Sequence, residues 1–325
     1  MDKERLIANI ERYISLNIEQ NGKIQNFDEK YVNSDHRDIP NFKSLRNDIK
    51  SILQDSSLVQ SSNGRNIDYV GLGFTLTTGV ITNILMSVAT DLGARESVNW
   101  LERALTTKTS GVRITSEIHG LVPPPEGVKI NGVTIIPIQN LHDTKTARAM
   151  LAAFDPKLIF HGIVSPPISA AIIEIDNFKL TAHDDDSTRY FAPQLAHIAR
   201  TIAAFTGAGA GAPTISRSWS EYLNDDIERF KVFTTWKKES NDGGRPNNNY
   251  NIDSDGIQFV ERYFSIKGKL ENKLAIASSR LNLARRRVAA GDKAIDGSIC
   301  LEALLGTDRF DITYKRAYPV KAYTY

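Results

Sequence analysis

The segment from residue 270 to residue 306 most restricts what this chain can fold into, because its apolar residues recur at helical spacing. Six of them advance by four and three residues alternately, so that at 100° per residue they fall within about 80° of arc. Burying six aliphatic side chains contributes on the order of 10 kcal/mol before entropic costs. The pattern predicts a long helix with one packing face, formed by Leu270, Leu274, Ala277, Leu281, Ala284 and Val288.

A second helix is predicted directly after the first. Gly291 is expected to end the first helix, Asp292 to cap the next one, and Gly306 to end that one. The apolar surface of the second helix would come from Ile295, Ile299, Leu301, Ala303, Leu304 and Leu305. Such a pair can anchor a helical bundle.

The rest of the chain predicts a mixture of helices and strands. Residues 1–60 show helical spacing around a polar loop, and residues 61–236 contain strand signals. The clearest is VKINGVTI, where alternating residues flank Asn131-Gly132, the signature of a two-residue hairpin turn. GVRITSEIHG and SAAIIEIDNFKLTAH also predict strands, with helices over residues 82–104, 146–154 and 193–205.

These signals predict an α+β fold, since strands and helices do not alternate regularly as in a doubly wound sheet. A strand-rich N-terminal sensing domain at 61–236 follows the helical segment 1–60. The polar segment 237–256 is expected to be a linker or a surface loop. An all-α helical domain at 257–325 completes the chain.

Charge and cysteine content exclude several classes of protein. Forty basic and 38 acidic residues give a net charge of +2, too small to indicate nucleic-acid binding from the overall field. The single cysteine, Cys300, excludes an intrachain disulfide and a thiolate zinc cluster. Without a signal-peptide core or an apolar run of membrane-spanning length, the sequence predicts a cytoplasmic protein with no membrane partner.

Residues 271–315 resemble the HEPN superfamily, specifically its ApeA-like group. The matching elements are Arg-Leu-Asn at 280–282, the Arg286-Arg287 pair, Asp296, and LEALLG followed by DITYK. Asp292 and, more weakly, PTISRSW at 213–219 add to the match. The resemblance implies a helical bundle that forms a homodimer, an RNA partner, no cofactor, and a role in toxin–antitoxin or antiphage defence systems.

Many proteins of that superfamily are metal-independent ribonucleases with an Arg-x(4–6)-His motif in a late helix. The histidine serves as general acid or base on the ribose 2′-hydroxyl and the arginine holds the phosphate. All six histidines of this chain precede residue 200, and Pro319 interrupts the expected helix. We therefore expect an incomplete bundle with a truncated C-terminus and little or no nuclease activity. The alternative is a non-catalytic module that forms dimers or binds a partner.

Three other motifs have simpler interpretations than a catalytic one. Arg113 and His119 match the Arg-x(4–6)-His spacing, but on a strand they would lie roughly 20 Å apart. His183–Asp186 (HDDD) suits a hard cation, although a solvated turn is the favoured interpretation and no metal site is predicted. TGAGAGAP at 206–213 lacks the Gly-Lys-Ser/Thr of a phosphate loop and follows a helix, which favours a corner.

The predicted nucleic-acid-binding residues lie on the first C-terminal helix. Lys273, Arg280 and Arg287 repeat every seven residues, with Arg286 beside them, which could form a local phosphate-binding stripe. The alternative is a solvated face that flanks the core. The ligand or protein partner of the N-terminal domain is not indicated.

Overall fold

The computed structural model describes residues 1–21, 40–69, 72–152, 167–180, 187–230, 237–238 and 249–306. The chain divides into two compact units, each assembled from separate segments. Unit 1 comprises Met1–Arg113, Glu174–Tyr190 and Ser220–Trp236, and unit 2 comprises Ile114–Ile173, Phe191–Trp219 and Lys237–Tyr325.

The described residues form eleven α-helices, one short 3-10 helix (Ile138–Asn140) and ten strands. The helices are α1 (Lys3–Asn21), α2 (Pro40–Gln54), α3 (Ser57–Ser62), α4 (Thr78–Leu92), α5 (Ala94–Thr106), α6 (Lys145–Ala152), α7 (Ser187–Ala204), α8 (Asp225–Glu228), α9 (Ser254–Ser265), α10 (Lys269–Arg286) and α11 (Ala290–Leu305). The strands are β1 (Asn66–Tyr69), β2 (Leu72–Thr75), β3 (Thr109–His119), β4 (Leu121–Val122), β5 (Val128–Ile130), β6 (Val133–Pro137), β7 (Ser169–Lys179), β8 (Thr214–Tyr222), β9 (Lys237–Lys238) and β10 (Tyr250–Asn251).

Six strands form one sheet in the order β5-β6-β7-β3-β8-β9. The pairs β5–β6, β6–β7 and β8–β9 are antiparallel. Strands β1 and β2 form a separate antiparallel pair, and β10 runs parallel to β4. An antiparallel sheet with helices makes the fold α+β, as the sequence predicts. None of the helices in the described segments combines the length and apolar character that crossing a membrane requires.

The predicted Asn-Gly hairpin is confirmed. Ile130 of β5 pairs with Val133 of β6 across a two-residue turn. The φ angles of Asn131 and Gly132 are 50° and 80°. Positive φ at both central positions is what this type of tight turn requires, and asparagine and glycine tolerate it best.

The helices of unit 1 bury the apolar faces that the sequence predicts. Leu6 and Ile10 of α1 and Ile49 of α2 are fully buried. The single helix predicted over residues 82–104 is wrong, because Gly93 separates α4 from α5 with a φ of 80°. A glycine adopts this conformation at little cost. Two helices therefore meet at Gly93, where the periodicity suggested a single continuous helix.

Two predicted boundaries in unit 2 are also different in the structure. Helix α10 ends at Arg286. Helix α11 has Ala289 as its N-cap, and Gly291 lies in its first turn. The predicted stop at Gly291 and cap at Asp292 are therefore wrong. The chain leaves the helix at Arg287, whose ψ is 140° and whose Nε donates to Oδ2 of Asp296 in α11.

The polar segment after residue 237 contains regular structure near its end. Tyr250 and Asn251 form β10, and α9 begins at Ser254. The Oδ1 of Asp253 accepts a hydrogen bond from the Gly256 N–H at 2.8 Å, which caps α9. Residues 239–248 of the predicted linker lie outside the described residues.

Candidate functional site

The buried carboxylate of Asp296 brings together two of the predicted RNA-binding residues. Arg280 donates from Nη1 to Oδ1 at 2.9 Å, and Arg287 donates from Nε to Oδ2 at 3.1 Å. The side chain of Asp296 is only 4% exposed, whereas those of Arg280 and Arg287 are 40% and 25% exposed. These contacts fasten α10 and the turn after it to α11.

The two arginines decide the protonation of Asp296. Its burial alone would raise the pKa of the carboxyl group, but the hydrogen bonds from Arg287 and Arg280 outweigh burial and hold the pKa below its ordinary value. The carboxylate is therefore charged at neutral pH. Its two charge-assisted hydrogen bonds form a fixed cross-link within the hairpin of α10 and α11.

Two further polar residues of α10 hold the glycine-rich loop at 206–213. Asn282 is buried and donates from Nδ2 to Thr206 Oγ1 at 3.0 Å and to the Pro213 carbonyl at 2.9 Å. Arg285 donates from Nη1 to the carbonyls of Thr206, Ala210 and Gly211. The loop thus presents carbonyl oxygens to a cation, whereas a phosphate loop presents N–H groups to an anion.

The remaining two predicted RNA-binding residues lie apart from Asp296. Lys273 donates from Nζ to the carbonyl of Gly306 at 2.6 Å, at the C-terminus of α11. Arg286 lines a cavity between α7, the start of β8 and α10. The four cations predicted as a stripe therefore occupy three different surroundings, and Arg280 and Arg287 share Asp296 as a partner.

The hairpin leaves much of its predicted packing face uncovered. Within α10 only Ala277 of the six predicted positions is buried, and Val288, beyond the helix end, is 86% exposed. Eleven large apolar side chains are exposed in the described part of the chain, and seven of them belong to this region. We call these seven the apolar surface of the hairpin: Leu270, Ile276, Val288, Ile295, Leu301, Leu304 and Leu305.

Arg113 and His119 both lie on β3, as predicted, but they serve different contacts. Arg113 donates from Nε to Glu174 Oε1 at 2.8 Å. His119 is buried at the end of the strand. Six residues of extended chain span roughly 20 Å, so the two side chains cannot act on one phosphodiester. Their Arg-x(4–6)-His spacing therefore gives no support for a catalytic pair.

A buried ion pair between two strands within unit 2 was not predicted. Glu117 of β3 is 1% exposed and accepts hydrogen bonds from Nε and Nη2 of Arg217 on β8, the former at 2.7 Å. The hydroxyl of Ser216 donates to the same carboxylate at 2.9 Å. Glu117 lies in the predicted strand GVRITSEIHG, but Arg217 lies in PTISRSW, which was not predicted to be a strand, so no signal in the sequence indicated this pair.

No metal cluster is found in the described residues, where no three His, Cys, Asp or Glu side chains converge. The candidate His183–Asp186 lies outside them. Comparison with protein-family models, curated proteins and solved structures gives no match. The HEPN resemblance consequently depends on the residues of the chain itself.

Proposed function

We propose that this protein binds RNA through the hairpin of α10 and α11 and associates with a second copy through the apolar surface of that hairpin. The observation that carries the proposal is the concentration of both features in one element. Residues 269–306 contain seven lysines and arginines and four acidic residues, a net charge of +3, in a chain whose total is +2. The same residues include the seven exposed apolar side chains.

Arg280 is the residue best placed to contact phosphate. It gives one N–H to Asp296 and keeps 40% of its side chain exposed. A guanidinium has five N–H donors, so others remain for a phosphate oxygen while Asp296 fixes its position. Arg287 can contribute in the same way to a smaller extent, and Lys273 and Arg286 would extend the contact along α10.

The proposed activity is binding rather than cleavage. HEPN-type ribonucleases use a histidine as general acid or base, and residues 257–325 contain none. The resemblance to toxin–antitoxin and antiphage proteins is the basis for placing this RNA binding in bacterial stress or defence. That residues 61–236 bind a ligand stays a prediction, and no binding site is assigned to it.

The RNA proposal predicts a specific loss in the Arg280→Ala variant. We expect it to bind labelled single-stranded RNA about threefold to tenfold more weakly in fluorescence anisotropy, because a phosphate contact is removed. The magnitude of the slope of log affinity against log salt concentration should fall by roughly 0.7, which is the contribution of one phosphate contact on a single strand. Arg95→Ala is the matched control, since Arg95 is an exposed arginine on α5 paired with Glu4.

Two results would contradict RNA binding by the hairpin. One is a wild-type protein that binds no RNA at about 50 mM salt, where phosphate contacts are strongest. The other is an equal affinity for Arg280→Ala and Arg95→Ala, with both variants shown by thermal unfolding to be folded.

Self-association is tested by placing charge on the apolar surface of the hairpin. We expect the wild-type protein to have twice the chain mass in light scattering coupled to size exclusion, and Val288→Glu with Ile295→Glu to have the mass of one chain. Two exposed apolar side chains can be replaced without disturbing a core, so the variant should remain folded, with its unfolding temperature lowered only by the loss of association. Arg95→Glu controls for added negative charge.

The competing function is a non-catalytic interaction module. It is favoured by the uncovered apolar surface, which by itself indicates a protein partner and not RNA. A protein that self-associates through Val288 and Ile295 but shows no salt-dependent RNA affinity would establish this alternative. A wild-type protein with the mass of one chain at micromolar concentration would exclude self-association.

A further inference from the structure

Helix α11 has an uncharged face on the side away from its two buried residues, Asp296 and Cys300. The central positions of that face are spaced four, seven and four residues apart, so at 100° per residue they fall within about 60° of arc. No charged residue of α11 lies closer than about 90° to the centre of this arc. We call four exposed residues the outer face of α11: Ala290, Ala294, Leu301 and Leu305.

Residue size changes along the outer face of α11 in a way that suits an antiparallel partner. The N-terminal half of the face has two alanines and the C-terminal half has two leucines, placed symmetrically about the midpoint between Gly297 and Ser298. A second α11 running in the opposite direction therefore opposes each alanine to a leucine, and every layer contains one small and one large side chain. A parallel pair would oppose leucine to leucine at one end and alanine to alanine at the other. Because side-chain size sets the distance between packed helices, such a pair would fit at one end only.

Gly297, at this midpoint, serves no purpose within its own chain. It lies in the interior of α11, where glycine is less stable than alanine. Its φ is not positive, and no described side chain or neighbouring element lies within 4 Å of the position that a Cβ would occupy. Close approach of a second helix gives the missing Cβ a use, because small residues allow interaxial distances of about 8 Å.

The exposed area of α11 is close to what a specific pair of proteins requires. Its four large apolar side chains are 42 to 60% exposed: Ile295, Leu301, Leu304 and Leu305. With the small residues between them they expose on the order of 500 Å² in each copy, so a pair buries about 1,000 Å² in total, near the lower bound for a specific interface. Val288, just before the helix and 86% exposed, adds to this area.

We infer that two copies of this chain associate through an antiparallel pair of α11 helices, with the two-fold axis between Gly297 and Ser298. This inference rests on the proposed self-association and gives it a geometry. A two-fold contact uses the same patch on both copies, so assembly closes at two chains and does not continue into a filament.

Cysteine cross-linking of the full chain tests the direction of pairing. In the antiparallel pair Ala290 opposes Leu305 of the second copy, whereas the two copies of either residue lie more than about 20 Å apart, beyond the reach of a disulfide. We expect Ala290→Cys and Leu305→Cys chains with tags of different length to form at least fivefold more disulfide-linked product when mixed than when either is oxidised alone. The wild type is the control, since burial raises the pKa of its only thiol, Cys300, and slows its oxidation.

A second variant tests the close approach at the midpoint of the helix. Gly297→Leu places a large side chain there and should weaken association at least tenfold, measured by light scattering on dilution. Asp292→Leu is the matched control, because this exposed residue of α11 lies on the side of the helix opposite the outer face. It should change association by less than about twofold.

The outcomes separate this geometry from the self-association on which it rests. A wild-type protein with the mass of one chain overturns both. A dimer in which Ala290→Cys and Leu305→Cys each cross-link alone is parallel, and it overturns the antiparallel geometry only. A dimer that gives no cross-link in the mixture, or that keeps its affinity in Gly297→Leu, has its contact elsewhere and overturns the same inference. Neither measurement needs RNA, so each result is independent of the RNA proposal.

Discussion

Replacing Glu117 with alanine should lower the free energy of unfolding by about 3–5 kcal/mol, the range for breaking a buried ion pair. The carboxylate is 1% exposed and receives two hydrogen bonds from Arg217 and one from Ser216. Its removal leaves the Arg217 guanidinium, whose side chain is 12% exposed, without its bidentate partner. Urea unfolding followed by circular dichroism measures the loss.

The matched control is Glu96→Ala, which also removes a carboxylate bonded to an arginine. Glu96 pairs with Arg103 at 3.0 Å, but both side chains are about half exposed. Solvent screens such a pair, so we expect a loss of at most about 1 kcal/mol. Equal losses in the two variants would show that the Glu117–Arg217 pair is no more protected from water than the surface pair.

Asp296→Asn should cost about 3 kcal/mol at neutral pH, measured by the same urea unfolding. The estimate is at the low end for a buried pair, because Arg280 and Arg287 remain partly exposed and can regain water. Asparagine keeps the shape of the side chain and removes its charge. Asp292→Asn, in the first turn of the same helix but exposed, is the matched control and should change stability by less than about 1 kcal/mol.

The difference between the wild type and Asp296→Asn should depend on pH in one direction. The two arginines lower the pKa of Asp296 in the folded protein. The carboxylate therefore contributes its full stabilisation above its ordinary pKa of 3.8, and loses it as pH falls through the lower folded value. We expect a constant difference from about pH 5 to pH 7 that narrows below about pH 4. A difference that grew in acid would contradict the assignment.

Local patterns in the sequence predict the local structure well. The Asn131-Gly132 turn and the apolar faces of α1 and α2 follow from residues close together in the chain. The break at Gly93 was missed because the apolar periodicity continues on both sides of the corner. The bend at Arg287 was missed because no glycine or proline marks it in the sequence, and the bond that Arg287 makes there joins it to Asp296 in the next helix.

Distant contacts explain what the sequence could not predict at the candidate site. Glu117 and Arg217 lie 100 residues apart, and only the pairing of β3 with β8 brings them together. The Arg280-Leu281-Asn282 segment and Arg287 were predicted to matter because of a family resemblance. In the structure Asn282 bonds to the loop at 206–213 and Arg287 bonds to the buried carboxylate of Asp296. Both roles depend on contacts with other segments of the chain, which a local sequence pattern does not specify.

The hydrogen bonds between α10 and residues 206–213 affect the order in which the chain folds. Asn282 and Arg285 bond to atoms that precede them by 69 to 79 residues. On the ribosome the loop at 206–213 emerges before α10. Because synthesis proceeds at about 5–20 residues per second, several seconds pass before α10 follows it. Closing so long a connection is slow compared with winding a helix. The docking of α10 onto this loop is therefore a late event in biogenesis, several seconds after the loop has left the exit tunnel.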